Sequence, residues 1–393
     1  MSEFLLHDEQ AAQVYLDANA TTPVLPCIAD VVSHTMQICF GNPSSPHISG
    51  IQAKYLLEQT RQNARHVIGA PDGDILFTSG ATEGIQTAIV STLIHAKNHT
   101  IKNPVLLYGA TEHKAVPNTL KHWNSVLGIN AQLLAIPVDS KGVLDLAFIS
   151  EHINNALMIC TMAVNNETGV YQDLNAIEHT IRSRNKSVSW MVDCVQALGK
   201  QALALSSTSI DYAPFSGHKL YAPKGIGCLY INNNIDFLDF KIHIDKIKNM
   251  GTLNVPGIVA IGKAIEIANL EMNNNENKIS RLRDYLESEL LKIDGTSVNG
   301  DTTQRLYNTS NICFKGQLAN VIIGRLGSVA VSNGSACQSR VEEASHVLKA
   351  MGLSSEDALA SIRFSLGIYN SIEEIDTTIE KIKTLINNSV NYA

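Results

Sequence analysis

Short apolar runs alternate along this chain with segments whose apolar residues recur at helical spacing. After the run at 74–78, for example, Ile85, Ile89 and Leu93 fall on one face of a helix. Helices that connect successive strands allow the strands to run parallel and cover both faces of their sheet. The pattern therefore predicts an α/β fold with a mainly parallel sheet flanked by helices. The predicted strands are Asp74–Thr78, Pro104–Tyr108, Ala131–Ile136, Leu157–Met162 and Val188–Val192, followed by Tyr212–Ser216 and Gly227–Ile231, which are expected to be neighbours.

The pattern changes after about residue 260. A long helix-compatible and charge-rich stretch covers 261–291, and the short runs Asn311–Phe314 and Ser361–Ser365 follow as strand candidates. This change predicts a large domain over 16–260 and a smaller α+β domain formed by 1–15 and 261–393. At 393 residues the chain is long enough for two domains.

Composition restricts the possible functions. The net charge of −7 gives no basic excess with which to bind nucleic acid. No apolar stretch approaches the roughly 20 residues that span a bilayer, and the N-terminus lacks the basic region of a signal peptide. The seven cysteines include no CxxC pair, which argues against a disulfide framework or a zinc site. We therefore expect a cytoplasmic protein without a metal, a membrane partner or a direct nucleic-acid partner.

Two segments that follow strand candidates could bind an anion or a cationic ring. The turn Ser79–Gly84 precedes a predicted helix, whose N-terminal N–H groups suit a phosphate, although a simple strand-to-helix turn explains it equally well. Asp193 ends an apolar strand, where its carboxylate could keep a pyridinium nitrogen protonated or could cap a helix.

Two further segments contain a lysine or a histidine after an apolar run. Lys219, in Phe215–Lys219, is a candidate for a depressed pKa and a Schiff base, although most single lysines are surface residues. His113 could stack on a ring and shuttle protons, or could be a polar residue at a strand end.

The last notable segment, Ser332–Ser339, surrounds Cys337 with small and polar residues. Such a composition predicts an exposed loop, where a free thiol oxidises easily. Cys337 is therefore either a functional nucleophile or a chance surface cysteine.

Together these segments resemble the cysteine desulfurases of the NifS/IscS type, which are class V, fold-type I enzymes that use pyridoxal-5′-phosphate (PLP). The resemblance covers nearly the whole chain, with the segments in the family's order. They are Tyr15–Pro23, Gly41–Ser45, Ser79–Gly84, Thr111–Val116, Asn165–Gly169, Val192–Lys200, Ser216–Gly227, Ser332–Ser339 and Ser361–Gly367.

The resemblance implies a role for each matching residue. It makes Lys219 the Schiff-base lysine, Cys337 the sulfur acceptor and His113 a ring-stacking catalytic residue. The implied cofactor contacts are Asp193 to the pyridine nitrogen, Gln196 to the ring oxygen, Ala81, Thr82, Ser216 and His218 to the phosphate, Thr252 from the other subunit, and Asn166. Asn166 and Arg363 are also implied to bind the substrate carboxylate.

The implied activity is conversion of L-cysteine to L-alanine, with sulfur held on Cys337 as a persulfide and then passed to an acceptor protein. The implied assembly is a homodimer. The alternatives are another class V enzyme, such as a selenocysteine lyase or an aminotransferase, or an inactive scaffold that kept the fold.

One stretch departs from the family pattern. Before Gly251 and Thr252 the family has a glycine pair and an arginine, whereas residues 241–250 of this chain have neither. The departure predicts weaker phosphate binding at this point, with Lys246 and Lys248 as partial substitutes for the missing arginine.

Overall fold

The computed structural model describes residues 14–233, 235, 251–334 and 343–390. A seven-stranded sheet lies at its centre, in the order β2-β8-β7-β6-β5-β3-β4. Strand β8 runs antiparallel to both of its neighbours, and every pair in the series β7-β6-β5-β3-β4 is parallel. The predicted mainly parallel sheet is therefore confirmed. The strands are β2 (Asp74–Thr78), β3 (Val105–Gly109), β4 (Gln132–Ile136), β5 (Ala156–Met162), β6 (Ser189–Asp193), β7 (Tyr212–Ser216) and β8 (Gly227–Ile231).

Helices cover both faces of this sheet because its strands alternate apolar side chains between two cores. In β6, Trp190 and Val192 join one core while Met191 joins the other. The helices of the large sheet are α1 (Pro26–Ile38), α2 (Ile48–Val67), α3 (Ala81–Asn98), α4 (Ala115–Leu127), α5 (Leu146–His152), α6 (Leu174–Arg182) and α7 (Val255–Leu270). Helices α3 and α4 pack on one face, and α2, α5, α6 and α7 pack on the other.

Capping residues explain where several of these helices begin. The carboxylate of Asp173 accepts the backbone N–H of Ala176 and starts α6, and Asn254 accepts the N–H of Gly257 and starts α7. The long helical stretch expected over 261–291 is divided between two helices, because α7 ends and α8 (Met272–Leu290) begins around Glu271.

A second, separate core lies around a small antiparallel sheet in the order β12-β10-β9. Both predicted strands of this region are present within β10 and β12. The remaining elements are β1 (Val14–Tyr15), β9 (Thr296–Val298), β10 (Thr309–Phe314), β11 (Val329–Ala330), β12 (Ser361–Ser365), α9 (Ala319–Leu326), α10 (His346–Ala350), α11 (Ser355–Leu359) and α12 (Ile372–Val390). This core draws on β1 as well as on α8, α9 and α12, whereas α10 and α11 form a small cluster of their own. The predicted domain boundaries stay a prediction. No described helix combines the length and apolar composition that crossing a membrane requires.

A buried ion pair lies where the smaller core meets the large sheet. Both terminal nitrogens of Arg305 donate to the carboxylate of Glu287 on α8, each at 2.7 Å, and the side chains are 4% and 12% exposed. The backbone around Arg305 also pairs with Val170, next to the large sheet. The pair is therefore part of the junction between the two cores.

We expect Arg305→Met to lower the free energy of unfolding by about 3–5 kcal/mol, because it leaves the Glu287 carboxylate buried without its partner. Urea denaturation measures the change. The double variant Arg305→Met/Glu287→Leu should recover much of the loss, and Lys263→Met, which breaks an exposed pair, should cost less than about 1 kcal/mol. Equal losses in Arg305→Met and Lys263→Met would contradict the prediction.

Candidate active site

The predicted site residues converge at one edge of the large sheet. Strand β6 ends at Asp193, β7 ends at Ser216, and the helical turn Gly217–Lys219 follows β7 directly. Strand β2 leads at the same edge into α3, which begins at Ala81. The carboxyl ends of strands are the usual place for a ligand in an open α/β sheet.

The turn between β2 and α3 presents the N-terminus of a long helix. Gly80 has no side chain with which to cap α3, and Ala81 and Thr82 form its first turn. The hydroxyl of Ser216 points toward Gly80, 3.9 Å from where a β-carbon would lie. The carboxylate of Glu83 turns instead toward Ser79, accepting from its N–H and hydroxyl at 2.6 and 2.7 Å. The structure thus brings Ala81, Thr82 and Ser216 together around an uncapped, electropositive helix end.

The ammonium group of Lys219 lies at the centre of the site. Its Nζ donates to the backbone carbonyls of Asn19 and Ala20 at 2.5 and 2.6 Å. Its charge affects the titration of the groups around it, which are Asp193, His113, His218 and Lys200. The protonation states of these four residues therefore depend on the charge of Lys219.

Asp193 is a buried carboxylate at the end of β6. One of its oxygens accepts the backbone N–H of Val195 at 2.9 Å. Burial raises the pKa of Asp193 to about 6, against the opposing effects of the Val195 hydrogen bond and the charge of Lys219. The carboxyl group is therefore mostly ionised at neutral pH and can pair with a cationic nitrogen.

The two histidines of the site are both shifted toward the neutral form. His113 is exposed, yet the surrounding protein desolvates its imidazole, and this effect together with Lys219 lowers its pKa. Its Nδ1 accepts the backbone N–H of Ala115 at 3.2 Å. Burial, followed by the charges of Lys219 and Lys224, lowers the pKa of His218 to about 4, and its Nδ1 lies 3.2 Å from the hydroxyl of Thr21. The exposed ring of His113 leaves a flat surface accessible for stacking.

Arg363 is buried where β12 approaches the site. It donates to the backbone carbonyl of Asn166 at 3.0 Å and to Asp17 at 2.5 Å. Its buried Nε has no hydrogen-bond partner among the described residues. A buried guanidinium N–H without a partner is costly, so this atom is a candidate contact for a ligand carboxylate.

Gln196 joins Lys219 through a third residue. Its Nε2 donates at 3.0 Å to the carbonyl of Asn19, the same oxygen that accepts from Lys219. A cavity of about 340 Å³ opens beside Lys219 and is mostly apolar, with Lys200, Tyr221 and Tyr307 in its lining.

Three of the sequence predictions are not tested by these contacts. Cys337 and residues 241–250, with Lys246 and Lys248, lie outside the described residues. Thr252 is exposed just before α7. Its predicted contact with a second subunit stays a prediction.

The sequence reasoning missed two buried residues of the site. Asn19 lies within Tyr15–Pro23, which was recognised as a family signature without a role for this residue. Glu112 precedes His113, and neither of its buried carboxyl oxygens has a hydrogen-bond partner among the described residues. Burial and then the charge of Asp193 raise the pKa of Glu112 well above its ordinary value, and the nearby Met162 backbone opposes this only in part. Both residues lie inside segments that resemble the family's motifs, and this location is the sequence signal that could have identified them.

A third missed residue, Glu167, connects the ends of the segment that contains Cys337. Its carboxylate accepts from the Ser345 hydroxyl at 2.5 Å, and the backbone of Gly334 lies against the same carboxylate. Glu167 follows Asn166 directly, so this contact adjoins the Arg363 side of the site.

The chain matches the family model described as aminotransferase class-V over residues 14–378. It is 38% identical to a cysteine desulfurase of Nostoc sp. over 382 residues, which cover 95% of this chain and 92% of that protein. It is also 38% identical to the cysteine desulfurase IscS of Pectobacterium atrosepticum, again over 95% of this chain and 92% of that protein.

Solved structures agree with these relatives. A NifS-like protein superposes with a TM-score of 0.84 at 31% identity, covering 95% of this chain and 99% of that one. A structure of SspA in complex with cysteine superposes with a TM-score of 0.74 at 27% identity, covering 91% and 100%. The chain belongs to the aminotransferase class-V family and, within it, to the PLP-dependent cysteine desulfurases of the NifS/IscS type.

Proposed function

We propose that this protein is a cysteine desulfurase that converts L-cysteine to L-alanine and receives the sulfur on Cys337 as a persulfide. The observation that carries the proposal is the meeting of Lys219, ionised Asp193 and the exposed His113 ring at one sheet edge. A relative of the same fold was solved with cysteine bound, which supports the choice of substrate.

The residues at this edge fit PLP. The uncapped start of α3, with Ser216 beside it, suits the phosphate, and His218 lies in the neighbouring turn. Asp193 would pair with the pyridine nitrogen, His113 would stack on the ring, and Lys219 would hold the cofactor covalently. Gln196 would donate to the ring oxygen and Thr252 would reach the phosphate from a second subunit. When bound, PLP supplies an electron sink for the negative charge that develops at the substrate Cα.

Substrate binding is assigned to Arg363 and Asn166. The unpartnered Nε of Arg363 offers a charge-assisted hydrogen bond to the cysteine carboxylate. The carbonyl of Asn166 and the carboxylate of Asp17 hold the guanidinium in place. A fixed guanidinium orients the substrate before any proton moves, which lowers the entropic part of the barrier.

Proton transfer is assigned to Lys219, which takes the Cα proton of the substrate and returns it. A neutral amine is required because an ammonium group cannot accept a proton.

Sulfur transfer is assigned to Cys337. Its thiolate attacks the sulfur of cysteine, an S–S bond forms, the C–S bond breaks, and the electron pair left on Cβ takes up a proton. A thiol and cysteine thereby give a persulfide and alanine, with no further oxidant. An acceptor protein would then receive the sulfur.

Borohydride reduction should fix PLP on Lys219, because the reduced bond to the lysine no longer hydrolyses. Peptide mapping by mass spectrometry locates the modified lysine. Lys200→Met, which removes the other lysine lining the cavity, should leave the label on Lys219. A label on any other lysine would exclude this assignment.

Cys337→Ala should bind PLP and L-cysteine but lose persulfide formation and most alanine release, because the accepting thiolate is gone. The assay is alanine and sulfide production from L-cysteine, with and without a reductant. Cys39→Ala, which removes a cysteine that is free in the described part of the chain, should behave as the wild type. Near-normal turnover in Cys337→Ala would place the protein with the lyases, in which no protein thiol takes the sulfur.

The proposed assembly is a homodimer in the cytoplasm. The region from the end of α1 to the start of α2 exposes large apolar side chains, with Phe40 and Ile48 each 76% exposed and Met36 and Tyr55 nearby. Several large apolar side chains exposed within one region of the chain are a candidate interface. All six described cysteines are free, which supports a reducing compartment.

The double variant Phe40→Asp/Ile48→Asp should convert the dimer to a monomer, because charges would be buried in an apolar contact. Light scattering after size-exclusion chromatography gives the mass. Val126→Asp, at an exposed position on the opposite side of the sheet, should remain dimeric. A dimer that survives the double variant would place the interface elsewhere.

A further inference from the structure

A second lysine lies in the turn that follows β6. The Nζ of Lys200 donates to the Oε1 of Gln196, four residues earlier, at 2.8 Å. Lys200 lines the same cavity as Lys219 and is partly buried. Burial, then the charges of Lys219 and Arg363, lower the pKa of Lys200 to about 7. Its amine is therefore influenced by two residues of the site and is more than a solvated surface charge.

The position of Lys200 depends on the preceding glycine. Gly199 has a φ of +73°, and a β-carbon there would lie 2.6 Å from the β-carbon of Ala268 on α7. Only glycine allows the turn to approach α7 so closely in this conformation. The close packing of Gly199 against α7 thus fixes the backbone of the turn from which the Lys200 side chain reaches Gln196.

Three hydrogen bonds connect the two lysines. Lys200 donates to Gln196 Oε1, Gln196 Nε2 donates to the Asn19 carbonyl at 3.0 Å, and Lys219 donates to that carbonyl at 2.5 Å. The amide of Gln196 therefore has its acceptor end toward Lys200 and its donor end toward Lys219.

The orientation of this amide matters because its two ends have opposite hydrogen-bonding properties. An ammonium group can only donate, so a reversed amide would place two donors against each other. With Oε1 fixed on Lys200, Nε2 is directed to the side where the Schiff-base lysine lies. The ring oxygen of PLP is an acceptor and needs that donor.

We propose that Lys200 is a positioning residue, which fixes the Gln196 amide so that Nε2 can donate to the ring oxygen of the cofactor. The proposal deepens the proposed PLP site and rests on it. A merely structural lysine would stabilise the turn without affecting the cofactor. A positioning role therefore predicts a change at the bound cofactor, whereas a purely structural role predicts a change in stability alone.

The test is a pH titration of the absorbance of the PLP-loaded protein. A hydrogen bond from Nε2 stabilises the anionic ring oxygen, so losing it should raise the midpoint by roughly one pH unit. We expect this rise in both Gln196→Met and Lys200→Met, with no further rise in the double variant, because both substitutions remove the same interaction. Lys200→Arg keeps a donor and should stay near the wild-type midpoint.

An unchanged midpoint in Lys200→Met, or a shift that adds fully to that of Gln196→Met, would overturn the proposal. If Lys200→Met folds poorly by circular dichroism, Lys200→Gln replaces it. That variant can present either amide end to Gln196, so a smaller rise is expected, and no rise counts against the proposal. A wild-type protein that takes up no PLP would instead contradict the proposed function, so the two failures are distinguishable.

Discussion

The buried side chain of Asn19 is the point on which the geometry of the active site depends. Its Nδ2 donates to Thr309 at 2.8 Å and to the carbonyl of Asn166, and its Oδ1 accepts from Asn308 at 3.1 Å. Its backbone carbonyl accepts from Lys219 and Gln196. Each polar group of this residue thus bonds a different part of the fold, and hydrogen bonds are directional. The lysine of the large sheet and the strands of the smaller one are therefore held in a single relative position.

The neighbouring acids Asp193 and Glu112 differ in charge state because their surroundings differ. Asp193 stays mostly ionised with a pKa of about 6, whereas Glu112, which is more deeply buried, is shifted toward the neutral acid. Two neighbouring carboxyl groups in one buried region cannot both ionise cheaply. The difference in their surroundings decides which of them carries the charge. The carboxylate that remains is the one that ends the strand beside Lys219.

Much of the fold and the site could be predicted because the signals were local. The run at 74–78 is a strand with those bounds, and the acid, lysine and turn segments lie where strands end. The division near Glu271 was missed because no proline or glycine separates the two helices. Lys200 and Asn19 were missed for another reason. Their roles come from hydrogen bonds to partners whose orientation only the folded chain defines. For the Asn19 side chain, the partner Thr309 lies 290 positions away in the sequence.

The contact at Glu167 has a consequence for how this chain can vary. Ser332, shortly before residues 335–342, pairs through its backbone with Arg363, and Ser345, shortly after them, bonds the carboxylate of Glu167. Ser332 and Ser345 are therefore both held on the Arg363 side of the site. The entropic cost of closing a chain segment between two fixed points rises slowly with its length, by only about 0.6 kcal/mol for each doubling. Related chains can therefore differ in length between these two anchor points at little entropic cost, while the anchors themselves stay in place beside the site.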